Sequence, residues 1–177
     1  MSTMTSCEIK LSKAELELAG MLARCRSGVS REDGISNQRI SSDSDYEVEY
    51  VGACGELAVA RSLGVYPDLS VYSRSGGYDL LSRGEKRMEV KTTRHHDGRL
   101  LARPKAKVED SDYYVLVTGD PPNMSIRGYI PTQEFLIEER IGVVSSGYPE
   151  AYIARQGELK PWPTTTSDTG PSTNTLS

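Results

Sequence analysis

Apolar runs are short throughout. No stretch approaches the roughly 18–20 consecutive apolar residues of a bilayer-spanning helix, so an integral membrane protein of that kind is not expected. The opening residues Met1-Ser2-Thr3-Met4-Thr5-Ser6 lack a basic region followed by an apolar run, the pattern of a secretory signal. Cysteine is scarce and odd in number. Cys7, Cys25 and Cys54 stand far apart with no Cys-x-x-Cys pair, which argues against both a zinc site and a disulfide framework. Free thiols without an export signal point to a reducing cytoplasm, with Cys25 and Cys54 expected at core positions on helices. No excess of positive charge exists either: the net charge is −4 and the pI near 5.3. That balance excludes wholesale coating of nucleic acid but leaves room for one basic patch on an acidic body. No glycine-rich loop of the nucleotide-hydrolase type, internal repeat, DNA-reading helix or zinc module is present.

What is present fits one domain of ordinary size with polar ends: 177 residues, 37% hydrophobic and 26% charged. Ser12-Lys13-Ala14-Glu15 reads as a capping box that opens a helix. Leu18, Met21, Leu22 and Cys25 give it one apolar stripe, ending at Ser27-Gly28. A polar, Gly/Ser-rich loop is expected from there to about Asp45. A second helix is predicted from about Tyr46 to Leu63, stopped by Gly64. In its middle, Gly52-Ala53-Cys54-Gly55-Glu56-Leu57-Ala58-Val59-Ala60 is small or apolar except at Glu56. Two glycines in a helix interior each cost about 1 kcal/mol against alanine. Close approach of a sheet would offset that cost.

Strands are predicted at Leu69–Tyr72, at Tyr78–Leu81 and Arg87–Thr93 as a hairpin, at Tyr113–Thr118 as a buried central strand, and at Arg127–Ile130. Pro131-Thr132 is read as opening a helix through Arg140. Tyr113, Tyr114 and Trp162 are read as packing residues. The tail from Pro161 is expected to be disordered. The division is therefore 1–45 (N-terminal helix and polar loop), 46–160 (core) and 161–177 (tail). The fold class is α/β (α+β), a central mixed β-sheet of four to five strands flanked by helices.

The chemistry is concentrated in Asp79…Glu89-Val90-Lys91. Residues two apart on a strand share a face, so Glu89 and Lys91 point together and Val90 points to the core. The hairpin lays Asp79 alongside. Two carboxylates brought close repel unless a cation lies between them, and a hard divalent ion resolves this. Mg²⁺ is the natural choice, since it takes one or two carboxylates, keeps waters and binds phosphate oxygens.

This pattern resembles the PD-(D/E)xK, or restriction-endonuclease-like, nuclease superfamily. Asp79 matches the first acid, Glu89 the second and Lys91 the lysine, with nine residues between the acids. Glu56 looks like the additional glutamate that many of these nucleases carry on their first core helix. The resemblance covers roughly Tyr46 to Arg140, and Tyr78 stands where the motif has proline. It implies a restriction-endonuclease-like core and a catalytic set of Asp79, Glu89, Lys91 and Glu56. It further implies Mg²⁺ or Mn²⁺ held by Asp79, Glu89, the Val90 carbonyl and Glu56. The implied activity is hydrolysis of DNA phosphodiester bonds, endonucleolytic rather than exonucleolytic, by a cytoplasmic enzyme of the restriction, resolvase or phage-processing type. A homodimer is the simplest way for one compact site to cut two strands.

Charge distribution adds a second clue. Between Arg83 and Lys107, nine Lys/Arg face three acids, a local balance of +6. Thr92, Thr93, Arg94, His95, Arg99, Arg103, Lys105 and Lys107 are the candidate nucleic-acid contacts. His95 and His96 are adjacent on an extended segment and point apart, so they do not readily share one ion. RNA is an alternative substrate. A non-catalytic nucleic-acid-binding or protein-interaction module on the same fold is the alternative function.

Overall fold

The computed structural model describes residues 6–32, 44–71 and 77–163. The expected loop at 33–43, the strand end and turn at 72–76 and the tail at 164–177 lie outside the described residues.

The fold is α+β. In chain order it comprises β1 (Cys7–Lys10), α1 (Lys13–Glu32), α2 (Asp45–Leu63), β2 (Leu80–Leu81), β3 (Arg87–Thr93) and β4 (Leu100–Ala102). There follow β5 (Tyr113–Asp120), β6 (Asn123–Pro131), α3 (Thr132–Phe135), β7 (Ile141–Val143) and β8 (Glu150–Ala154). A five-stranded sheet runs β1-β6-β5-β3-β2, and a three-stranded sheet runs β4-β8-β7. The larger sheet is mixed: β3 and β5 are parallel and its other neighbours antiparallel. Alternation along β3 and β5 builds two cores. Met88, Val90, Val115 and Val117 face the α1–α2 layer with Ala19, Leu22, Leu57 and Ala58. Tyr114 and Leu116 face the other way, beneath Leu100, Ala102, Ala154 and Phe135. No helix among the described residues is long and apolar enough to cross a membrane.

The capping box forms as expected. Ser12 N–H donates to Glu15 Oε2 at 2.7 Å and Glu15 N–H to Ser12 Oγ at 3.3 Å. The buried stripe of α1 is rotated from the predicted one, however. Ala19, Leu22, Ala23, Arg26 and Ser27 are buried, whereas Met21 is 57% exposed and Cys25 is exposed. The small side chains of Ala19 and Ala23 let α1 lie close to α2, with Leu22 and Arg26 buried beside them. The helix also runs past Gly28 to Glu32. Cys54 is fully buried as expected, and burial pushes its thiol up to about 11. In the native protein a thiol reagent near pH 8 should therefore modify Cys25 quickly and leave Cys54 untouched until denaturant is added. Mass spectrometry of the labelled protein reads this directly.

In α2, Ser44 caps the start by accepting from Glu47 N–H at 3.2 Å, and Gly64 ends it in the left-handed region at φ +61. The two interior glycines differ. A Cβ on Gly55 would fall 1.9 Å from Thr92 Oγ1 of β3, while one on Gly52 meets nothing within 4 Å. Gly55 is thus the point where the helix touches the sheet. Gly55→Ala should lower unfolding free energy by about 1–3 kcal/mol. Gly52→Ala should raise it by about 1 kcal/mol, with urea denaturation measuring both.

Several elements differ from expectation. Leu69–Val71 is irregular rather than a strand, because Asp68 captures the local donors: Ser70 N–H and Oγ–H both reach its carboxylate at 2.9 Å. β6 begins at Asn123, not Arg127, and pairs along most of β5 through a turn at Pro121-Pro122. The predicted helix from Thr132 to Arg140 is two short pieces, α3 and a 3₁₀ turn at Glu138–Arg140. β1 and the small sheet give too little alternating sequence to stand out, yet β1 pairs with β6 and α1 packs on α2. Trp162 packs in the core as expected. It is 3% exposed, and its Nε1–H donates to Ser62 Oγ at 2.7 Å.

Candidate functional site

Pairing of β2 with β3 sets the geometry. Leu80 lies opposite Met88 and Leu81 opposite Arg87. Asp79 stands just ahead of this pairing, outside the ladder, beside Met88 and Val90 of β3. Met88 and Val90 belong to the helix-side core, so Glu89 and Lys91 fall on the other face, where the charge of Asp79 also reaches Lys91 and Tyr114. Asp79 is 4% exposed. Its N–H donates to the Met88 carbonyl at 2.8 Å, and its Oδ2 accepts the Val90 N–H at 2.7 Å. Within a strand, one residue's N–H and C=O point to the same edge, so the Val90 carbonyl opens toward the Asp79 side.

Lys91 Nζ donates to Glu89 Oε1 at 2.5 Å. Burial pulls the Lys91 ammonium down, but the charges of Glu89 and then Asp79 outweigh it, and its pKa lies above the ordinary value. The same balance includes an opposing charge from Arg103, which places that member of the basic strip within electrostatic range of the site. Tyr114 of β5, opposite Glu89 in the parallel register, forms part of the floor. Burial raises its phenol, and the charges of Glu89, Asp110 and Asp79 add to the effect. Tyr114 and Asp110 were not visible as site residues in the sequence, because only the β3–β5 pairing brings them here.

The structure therefore gathers Asp79, Glu89, Val90 and Lys91. Glu56 is buried on α2 and takes two hydrogen bonds from Arg26 of α1, at 3.1 and 3.0 Å. Arg26 also reaches the Asp68 carbonyl at 3.3 Å. The sequence carried no signal for this partnership, since Arg26 reads there as a polar residue near a helix end.

The basic strip divides similarly. Thr92 turns toward Gly55, and its buried Oγ1 has no hydrogen-bond partner among the described residues, so it faces away from Lys91. Thr93 shares the Glu89–Lys91 face and accepts from His95 N–H at 3.3 Å. Arg94 donates to Asp120 at 3.0 Å and lies 4.0 Å from Glu47. Arg99 reaches the Val144 carbonyl at 3.4 Å. His95, Arg103, Lys105 and Lys107 are exposed.

Among the described residues no group of three or more His, Cys, Asp or Glu is placed to hold a metal ion. Magnesium asks for less: one or two carboxylates, with waters and substrate oxygens completing the shell. Two carboxylates beside a carbonyl, with no sulfur or imidazole, form a hard-oxygen donor set of that kind. No protein-family model matches the chain, and no curated protein matches it.

Proposed function

We propose that this protein is a metal-dependent nuclease that hydrolyses DNA phosphodiester bonds on a restriction-endonuclease-like core of the PD-(D/E)xK kind. The observation that carries this reading is the ion pair of Lys91 with Glu89 at 2.5 Å, on the strand face that Asp79 also charges. Such a cluster of two acids and an amine is costly to assemble at a half-buried strand pair unless it meets a ligand. Asp79, Glu89 and the Val90 carbonyl would hold Mg²⁺ or Mn²⁺. When bound, that ion supplies a Lewis acid for the scissile phosphate and lowers the pKa of a coordinated water. Lys91 would donate a hydrogen bond to a phosphate oxygen or to the attacking water. Arg103 adds positive charge on the approach. A cytoplasmic endonuclease acting as a homodimer completes the proposal.

The closed Glu89–Lys91 pair also favours a second reading, because it neutralises itself without a metal: a non-catalytic nucleic-acid-binding module. One panel separates the two. Supercoiled plasmid, a branched junction, single-stranded DNA and RNA are incubated with the protein in Mg²⁺, Mn²⁺ or EDTA. The nuclease reading expects cutting only with metal, and none by Asp79→Asn, whose amide oxygen still accepts the Val90 N–H. Wild-type protein that binds these substrates and cuts none of them leaves the second reading.

A further inference from the structure

A second charged feature lies beyond the end of β3. His96, Asp97 and Arg99 of the β3–β4 loop and Arg155 and Gln156 after β8 line a shallow depression of about 430 Å³. Its walls are tied together: Gln156 Nε2 donates to the His96 carbonyl at 2.8 Å and to the Gly98 carbonyl at 3.0 Å. Gly98 is needed there, since a Cβ would fall 2.3 Å from Thr93 Cγ2. The β4–β8 ladder pairs Leu100 with Ala154 and Leu101 with Ile153. Arg99 and Arg155, next to the Leu100–Ala154 pair and outside the ladder, both line the depression, and Arg99 Nη2 also reaches the Val144 carbonyl at 3.4 Å. Like charges gathered on one concave surface repel each other. The nearby Glu158 carboxylate accepts from Arg140, at 2.7 Å, and from the Arg155 backbone N–H, at 2.7 Å, so the Arg155 charge, which it also feels, shares it with a second guanidinium. Asp97 is the one acid in the lining, against two guanidinium groups.

We propose that this depression is a phosphate-binding site that anchors a nucleic-acid strand outside the Asp79–Glu89–Lys91 face. Two arginines lining one concave surface offer guanidinium forks suited to the oxygens of a phosphodiester, and a bound anion relieves the repulsion between their charges. His96 follows Lys91 by five residues, so their Cα atoms are at most about 18 Å apart. A backbone held here passes within a few nucleotides of Lys91. The identity of the ligand as nucleic acid rests on the function proposed above; the anion site itself does not.

Fluorescence anisotropy tests the strand, using labelled duplex and single-stranded DNA in EDTA across a range of KCl concentrations. Arg99→Gln and Arg155→Gln should each weaken binding irrespective of sequence and reduce the log–log salt slope by about 1. In phosphate-free buffer both variants should melt no lower than wild type, because a repulsion has been removed. Added inorganic phosphate should raise the melting temperature of wild type and not of the double variant. An unchanged salt slope in the double variant overturns the strand assignment, as does phosphate stabilisation lost with DNA binding intact, which means a small-anion site only. Variants that melt lower overturn the repulsion argument. DNA bound through these arginines but never cut would sink the nuclease reading and leave this site standing.

Discussion

Lys91→Ala is expected to lower Mg²⁺-dependent DNA cleavage by about 10²–10³-fold, the loss typical of removing one donor aimed at developing charge. Binding of DNA in EDTA should change little, since one phosphate contact among several is lost. The same substitution should tighten Mg²⁺ binding. In the wild type the ammonium occupies Glu89 Oε1 at 2.5 Å, where a cation would compete with it. Without it, the negative charge of Glu89 and Asp79 loses the Lys91 ammonium, and a divalent ion offsets more of it than in the wild type. Thermal melts with and without Mg²⁺ read this term separately from turnover: the variant should gain more from the metal than wild type does. A purely structural lysine predicts neither the opposed directions nor the loss of cleavage. Cleavage surviving in both Lys91→Ala and Asp79→Asn would place the chemistry elsewhere.

The second large effect concerns stability. Arg26 and Glu56 are joined by two hydrogen bonds in the helix-side core, with side chains 7% and 10% exposed. Removing one partner takes the counter-charge from a buried group and should cost about 3–5 kcal/mol. For a chain of this size that is on the order of 6–20 °C in melting temperature. Arg26→Met with Glu56→Leu should recover most of the loss, because packed apolar side chains replace a desolvated pair without leaving either charge alone. The double variant also decides the role of Glu56. Retained cleavage assigns Glu56 to holding α1 against α2. Cleavage lost at wild-type melting temperature returns it to the metal site, as the family resemblance implied.

Glu56 shows why part of the site was legible and part was not. Local order in the chain was enough for Glu89 and Lys91, whose common face follows from the two-residue period of a strand. A hairpin with a short turn was enough to bring Asp79 beside them. Glu56 lies far from any residue whose identity announces a partner, and its pairing with Arg26 arises from how two helices pack. In the sequence Thr92 reads as a phosphate contact because it follows Lys91. The alternation that unites Glu89 with Lys91 instead turns Thr92 toward Gly55.

The secondary structure divides along the same line. The capping box at Ser12, the left-handed stop at Gly64, the hairpin and the buried β5 are written in residues close together in the chain, where capping, turn chemistry and periodicity act. The strands β1, β4, β7 and β8, three to five residues long, carry too little pattern to be seen alone. Their stability comes from neighbours supplied by distant parts of the chain. For the same reason the Arg99–Arg155 juxtaposition has no local signature. Short-range pattern determined the acids, the lysine and their shared face. Only the tertiary structure decided which charges surround them, because pairing across a ladder and packing between helices bring together residues that the chain keeps dozens of positions apart.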